Sequence, residues 1–194
     1  MSSESLDYPL EKLANDETIT FSKKGEGILH YVMDLEYARK KHVFSIDNGM
    51  TVGKRFENTK GEPVKSYQAG ELYAVRVNMV FEVDAYNVAL EDSLPAGFEP
   101  VDPNFNGTPS TYLNKASQEG VTENWSFEYL VSAVERRDDR MLVFADYVPA
   151  GSYDYVYYVR ATTSGHYSIP ASRVGEMYAP EIFGQSISGE IEVK

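Results

Sequence analysis

Leu72-Tyr73-Ala74-Val75-Arg76-Val77-Asn78-Met79-Val80-Phe81-Glu82-Val83 is the stretch that decides the fold class. Its odd-numbered side chains are all apolar or aromatic, whereas the even-numbered set includes Arg76, Asn78 and Glu82. A period of two with one wholly apolar face marks a strand whose one side is buried. The same rhythm runs through 28–37, where Leu29, Tyr31, Met33, Leu35 and Tyr37 share the apolar face. It recurs at 43–46, 50–56, 87–90, 125–134, 141–144, 152–160 and 187–193.

Between these runs lie Asp47-Asn48-Gly49, Ala69-Gly70, Pro95-Ala96-Gly97, Arg137-Asp138-Asp139-Arg140 and Pro149-Ala150-Gly151, each composed as a turn. Lys23-Lys24-Gly25-Glu26-Gly27 is another, between strands expected at 18–21 and 28–37. Many short strands separated by turns predict an all-β sandwich or barrel. Two segments depart from the pattern. Residues 1–16 are polar and acidic, with only Leu6, Leu10 and Leu13 at helical-turn spacing, and are expected to be a tail or linker. The stretch at about 100–124 is rich in Asn, Pro, Ser, Thr and Gly, too long for a hairpin connection, and is expected to be a surface excursion with a short helix near 111–118.

Composition narrows function. The chain has 194 residues and a formal charge of -12, so a polyanionic partner is repelled and nucleic-acid binding is disfavoured. No apolar run is long enough to cross a membrane, and no basic start precedes an apolar segment as in a secretion signal. The absence of cysteine removes disulfides, thiolate metal sites and a cysteine nucleophile, and fits a reduced cytoplasm as well as a periplasm.

Catalytic patterns are weak. His30, His42 and His166 lie far apart without zinc-ligand spacing. Glu91 with Asp92, or Glu176, Glu181 and Glu190, could be imagined as paired carboxylates, but thirty acids in one chain place such neighbours together by chance. There is no G-x-S-x-G elbow, no dinucleotide fingerprint after Gly25 and no EF-hand spacing around Asp138 and Asp139. No enzymatic activity and no cofactor are expected. Tyr153, Tyr155 and Tyr157 on one strand face, with Tyr158 on the other, are expected to be core packing with a covered outer face rather than a sugar platform.

Four ordered segments carry a family resemblance: Leu90-Glu91-Asp92-Ser93-Leu94-Pro95-Ala96-Gly97-Phe98-Glu99, Arg136-Arg137-Asp138-Asp139-Arg140, Tyr155-Val156-Tyr157-Tyr158-Val159-Arg160-Ala161-Thr162-Thr163-Ser164-Gly165, and Met177-Tyr178-Ala179-Pro180-Glu181-Ile182-Phe183-Gly184. In order and spacing they resemble the C-terminal, receptor-binding-like domain of bacterial alpha-2-macroglobulins. The resemblance implies an antiparallel macroglobulin-like β-sandwich over 41–194, preceded at 17–40 by the last strands of a CUB-like neighbour. It implies a periplasmic or cell-envelope parent chain, membrane-anchored through its N-terminal part, that inhibits proteases by trapping them. Its partners are the thioester-region and CUB-like domains of that parent, and target proteases only through the parent.

The 175–184 segment stands out because Met177, Tyr178, Ile182 and Phe183 lie in a Pro-containing, weakly periodic loop. Apolar side chains there must either dock on a neighbour or pack on their own sandwich. The resemblance implies that Met177 and Tyr178, within a docking loop that includes Pro180, Glu181, Ile182 and Phe183, lie against the thioester-region domain and keep the trap unsprung. The competing expectation is a free-standing surface adhesin or carbohydrate-binding sandwich, which would display a flat aromatic platform.

Overall fold

The computed structural model describes residues 20–33, 43–102 and 125–194. The chain divides into two compact units, Met1–Lys40 and Lys41–Lys194. The leading tail, the ends of the two N-terminal strands, His42 and the body of the expected excursion with its helix at 111–118 lie outside the described residues.

Within the first unit, Gly25 and Gly27 take positive φ angles of 101° and 105° and the Lys23 ammonium donates to both their carbonyls. The bend brings the rings of Phe21 and Tyr31 into a stack at 4.5 Å. The expected turn is therefore present, but residues 20–33 form no strand, in contrast to the hairpin expected from their alternation. Ile28, Tyr31, Val32 and Met33 are exposed. An apolar strand face is stable only when a neighbouring layer covers it, and a lone two-stranded ribbon is marginal in water.

Among the described residues of the second unit thirteen strands form a sandwich, β1(Ile46–Asn48), β2(Met50–Glu57), β3(Leu72–Phe81), β4(Ala85–Ser93), β5(Phe98–Pro100), β6(Trp125–Ser126), β7(Ala133–Arg137), β8(Arg140–Val148), β9(Gly151–Ala161), β10(Gly165–Ile169), β11(Ser172–Glu176), β12(Phe183–Gln185) and β13(Gly189–Val193). One sheet has the order β1-β12-β11-β4-β8-β7; the other runs β2-β3-β9-β5 with β6 also on β9, and β10 pairs with β13. Every pairing of named strands is antiparallel except β6 with β9, so the expected all-β antiparallel sandwich is what forms.

The core lies between the two large sheets. β3 contributes Tyr73, Val75, Val77, Met79 and Phe81, all at most 6% exposed. Val88, Leu90, Met141, Val143 and Val174 face them from the opposite sheet. Tyr153, Tyr155 and Tyr157 of β9 lie in the same core, and Tyr158 on the reverse side packs with Ala74, Val101 and Val156. The tyrosine run is thus packing on both faces, as the alternation predicts. Fully burying a side chain of this size contributes about 1.5–3 kcal/mol.

Two local expectations are corrected. Asp47-Asn48-Gly49 is not a turn: the chain stays extended there, β1 pairs with β12 while β2 pairs with β3, and Gly49, at φ 88°, is where the chain passes from one sheet to the other. The run 125–134 is not one strand either. Trp125–Ser126 joins β9, the chain makes a 3-10 turn at Phe127–Leu130, and β7 then joins β8. Phe127, fully buried, stacks on Phe81 at 6.3 Å and meets Tyr153 edge-on, so burying this one ring draws the crossing segment into the sandwich.

Among the described residues two ionic clusters are buried, which the alternation did not anticipate. Lys54 and Asp92 face each other between the sheets, with side chains 3% and 0% exposed and 2.7 Å apart. Asp92 also accepts from Ser172 Oγ at 2.8 Å and Tyr157 Oη at 2.6 Å, while Lys54 also donates to the Ser93 carbonyl. Burial, and then the Asp92 charge, hold the Tyr157 phenol well above its ordinary pKa, so it stays a donor. On the outer face of the second sheet, Arg76 bridges Glu57 and Asp154. Burial works against its charge, but the hydrogen bonds and charges of Glu57 and Asp154 outweigh this and raise its pKa.

Candidate functional site

The loop 177–182 joins β11 to β12 at one end of the sandwich. Three glycines build its base. A Cβ on Gly175 would lie 3.0 Å from the Ile182 carbonyl oxygen and from Phe183 Cβ, and one on Gly184 would lie 2.3 Å from the Met50 carbonyl oxygen. A Cβ on Gly49 would lie 3.4 Å from Ile182 Cγ2. The backbones approach this closely because no side chain intervenes, and the gap they leave lets Ile182 pack against the core.

Hydrogen bonds then hold the loop's path. Glu176 N donates to the Ile182 carbonyl at 3.2 Å and Ile182 N to that of Ala179 at 2.9 Å. Met177 N donates to the Asn87 carbonyl at 3.0 Å, Arg173 reaches the Pro180 carbonyl, and the Asn48 amide reaches that of Glu181.

The six expected loop residues divide into two groups. Ile182 turns toward the body of the sandwich and packs on its core, while Phe183, also half-buried, lies on the outer face of the sheet with the Arg173 guanidinium over its ring at 4.4 Å. Met177 and Tyr178 point outward, 47% and 84% exposed, and Pro180 and Glu181 are exposed as well. A backbone pinned at five points thus presents one thioether and one phenol ring to solvent. That arrangement can bind an apolar surface at little entropic cost, because the presenting loop is already ordered.

The structure adds residues that alternation placed elsewhere. On β4 the inward residues Val88, Leu90 and Asp92 are even-numbered, so Tyr86 should also point inward. Asn87 breaks the phase: its φ is 50°, the one positive value outside glycine among the described residues. Ala85 is buried in its place and Tyr86 is 57% exposed. The partner strand β8 breaks at the same level, where Ala145 and Val148 are buried and Asp146 and Tyr147 are exposed. Tyr86 and Tyr147 consequently stand side by side on the outer face, ring centroids 5.2 Å apart, next to the loop that Asn87 anchors. The available signal was the residue type, since asparagine tolerates the left-handed region better than other side chains.

Asn87→Val is expected to cost roughly 1–2 kcal/mol and Asn87→Gly to be neutral or mildly stabilising, both checked by urea denaturation. Equal stability of the three proteins would show that the left-handed turn is not strained.

The imagined carboxylate pairs are not brought together. Asp92 is the buried partner of Lys54, whereas Glu91, on the opposite face, binds Arg140 at 2.6 Å. Glu176 binds the backbone of Tyr86, Glu181 lies in the loop, and Glu190 is on β13, paired to β10. His166 is exposed, 3.9 Å from Glu192. No group of three or more His, Cys, Asp or Glu that could hold a metal occurs among the described residues.

A family model for the bacterial alpha-2-macroglobulin MG10 domain matches residues 49–181. The chain is 25% identical over 204 residues to the alpha-2-macroglobulin homolog of Nostoc sp., covering 97% of this chain and 10% of that protein. It is 31% identical over 180 residues to Circularly permutated Ras protein 2 of Dictyostelium discoideum, covering 86% of this chain and 4% of that protein. Only a small part of either relative's length is therefore spanned. Among solved structures, Salmonella alpha-2-macroglobulin reacted with methylamine superposes with a TM-score of 0.66 and 26% identity, over 80% of this chain and 10% of that one. Trypsin-activated alpha-2-macroglobulin from Escherichia coli, at 20% identity and a TM-score of 0.67, shares the fold.

Proposed function

The chain belongs to the bacterial alpha-2-macroglobulin family, carrying its MG10 domain over most of the second unit, and from this premise we propose that it is a non-catalytic, C-terminal, receptor-binding-like domain of a protease-trapping inhibitor. In this reading it packs against the thioester-region domain of its parent and holds the trap in the native state. The observation that carries the proposal is the presentation of Met177 and Tyr178 on a hydrogen-bonded loop: Ile182 packs on the sandwich and these two side chains remain exposed. A solvent-facing Met and Tyr on a pinned backbone suit a domain contact, where a few anchors dominate the energy.

Residues 17–40 belong, in the same reading, to a CUB-like neighbour. The exposed Ile28, Val32 and Met33 of the first unit support a covering layer supplied by the rest of that domain. The parent chain resides in the periplasm or cell envelope, anchored through its N-terminal part, and meets target proteases through regions other than this one.

The test is binding of the chain to the separately produced thioester-region domain of the parent, measured calorimetrically for the wild type, Met177→Ala and Tyr178→Ala. Truncating an aromatic hot spot costs about 2 kcal/mol or more, so Tyr178→Ala is expected to weaken binding roughly thirtyfold, and Met177→Ala by less. Binding that both variants retain in full would rule out the loop as the contact. No binding by the wild type, with a glycan-array hit in its place, would favour the carbohydrate-binding alternative.

A further inference from the structure

Tyr86 and Tyr147 form an aromatic pair on the outer face of the six-stranded sheet, with rings tilted by 41°. Two carboxylates flank it, each oriented by hydrogen bonds. Asp84 accepts the Tyr147 hydroxyl at 2.7 Å and Ala150 N at 2.9 Å, and Glu176 accepts Tyr86 N at 2.9 Å. The Ala150 amide and then the Tyr147 hydroxyl lower the pKa of Asp84. No lysine or arginine among the described residues lies within ion-pair distance of Asp84 or Glu176. Arg173, on the same outer face, is engaged on Phe183 and Pro180. Glu82 and Asp146 nearby are also exposed, so this end of the sandwich is acidic around an aromatic centre.

Both features ask for the same occupant. The negative face of a phenol ring attracts a cation, and carboxylates with spare lone pairs accept from a guanidinium or ammonium. A sugar is served less well, since the rings do not form a flat platform and the flanking groups are anionic acceptors. We propose that the docking surface extends past Met177 and Tyr178 onto Tyr86 and Tyr147, and that with Asp84 and Glu176 these form a receptor for an arginine or lysine side chain of the covering domain. The inference rests on the docking reading for the identity of the partner, and on charge complementarity for its chemistry. It makes the domain contact part apolar, through the loop, and part ionic, through the sheet face.

Two measurements test it. The first is the affinity of the chain for the thioester-region domain at 50 and 300 mM NaCl. Partly exposed ionic contacts are screened by salt, so wild-type binding is expected to weaken about fivefold to tenfold across this range. Asp84→Asn with Glu176→Gln is expected to remove most of that salt dependence, whereas Tyr178→Ala weakens binding and keeps it. The second is titration of the chain alone with N-acetylarginine methylamide and with its uncharged citrulline counterpart, followed on tyrosine ring resonances. The arginine compound is expected to shift the Tyr86 and Tyr147 signals, the citrulline compound to leave them in place, and the double variant to respond to neither.

Salt-independent wild-type binding, or rings that ignore the arginine compound, overturns the cation receptor even where the domains dock through Tyr178. Rings that respond to arginine while the domain does not bind overturn the docking reading and leave the receptor standing.

Discussion

Asp92→Ala is expected to destabilise the sandwich by about 3–5 kcal/mol, because it strands the Lys54 ammonium between two sheets without its counter-charge. Lys54 and Asp92 are both essentially inaccessible, so water cannot take the missing partner's place. Among the described residues, Lys54 then keeps only the Ser93 carbonyl at 2.9 Å as an acceptor, and Ser172 and Tyr157 lose the carboxylate they donate to. A single domain is stable by roughly 5–15 kcal/mol in total, so the variant loses a large fraction of its margin. Its melting temperature should fall by roughly 6–20 °C, readable by calorimetry.

The double variant Lys54→Met with Asp92→Leu is the informative companion. It removes both charges together and is expected to recover most of the loss, since replacing a buried pair by apolar groups of similar volume is often neutral. Tyr157→Phe, which removes one donor to Asp92, is expected to cost about 1–3 kcal/mol. If Asp92→Ala lowered stability by less than about 1 kcal/mol, the pair would be solvated in solution and the two sheets would not be locked there.

Gly184→Ala carries the second large effect. The added methyl group would lie 2.3 Å from the carbonyl oxygen of Met50 and 2.8 Å from its carbon. These are backbone atoms of the adjacent strand, which cannot rotate away as a side chain would. Either β12 lifts from β2 or β2 shifts in its pairing with β3, and overpacking of this kind costs about 3 kcal/mol. Because β12 forms one wall of the 177–182 loop, the variant should also lose binding through Tyr178, which links a packing defect to the proposed contact.

Gly53→Ala, in the same β2 strand, meets nothing within 4 Å and is expected to leave stability within about 0.5 kcal/mol. Urea denaturation separates the two substitutions. Comparable stability for both would mean that β12 does not hold its close approach to Met50.

Much of this architecture was legible because alternation is a local signal. Tyr73, Val75, Val77, Met79 and Phe81 face the core as their spacing requires, and Tyr153, Tyr155 and Tyr157 do the same. Short elements were harder. Phe98–Pro100 and Phe183–Gln185 are three residues each, too brief to display a period, and they exist because a neighbouring strand offers its open edge. The 177–183 loop was legible through its composition, apolar residues around a proline. The division between Ile182, turned inward, and Met177 and Tyr178, turned outward, was not, because it depends on the space that Gly49, Gly175 and Gly184 leave.

By itself, then, the sequence determined an all-β sandwich or barrel, the inward face of its longest strands and the loop that carries the candidate contact. These follow from the two-residue repeat of a pleated strand and from turn chemistry, which neighbouring residues settle among themselves. Only the tertiary structure decided that Asp92 is buried on Lys54 rather than solvated beside Glu91, that the chain changes sheets at Gly49, and that Tyr86 and Tyr147 face outward. A single left-handed residue at Asn87 inverts the phase of everything before it on β4. Whether that inversion is adopted depends on what the opposing strand β8 and the Met177 amide can satisfy across a large separation in the chain, and no local period encodes it.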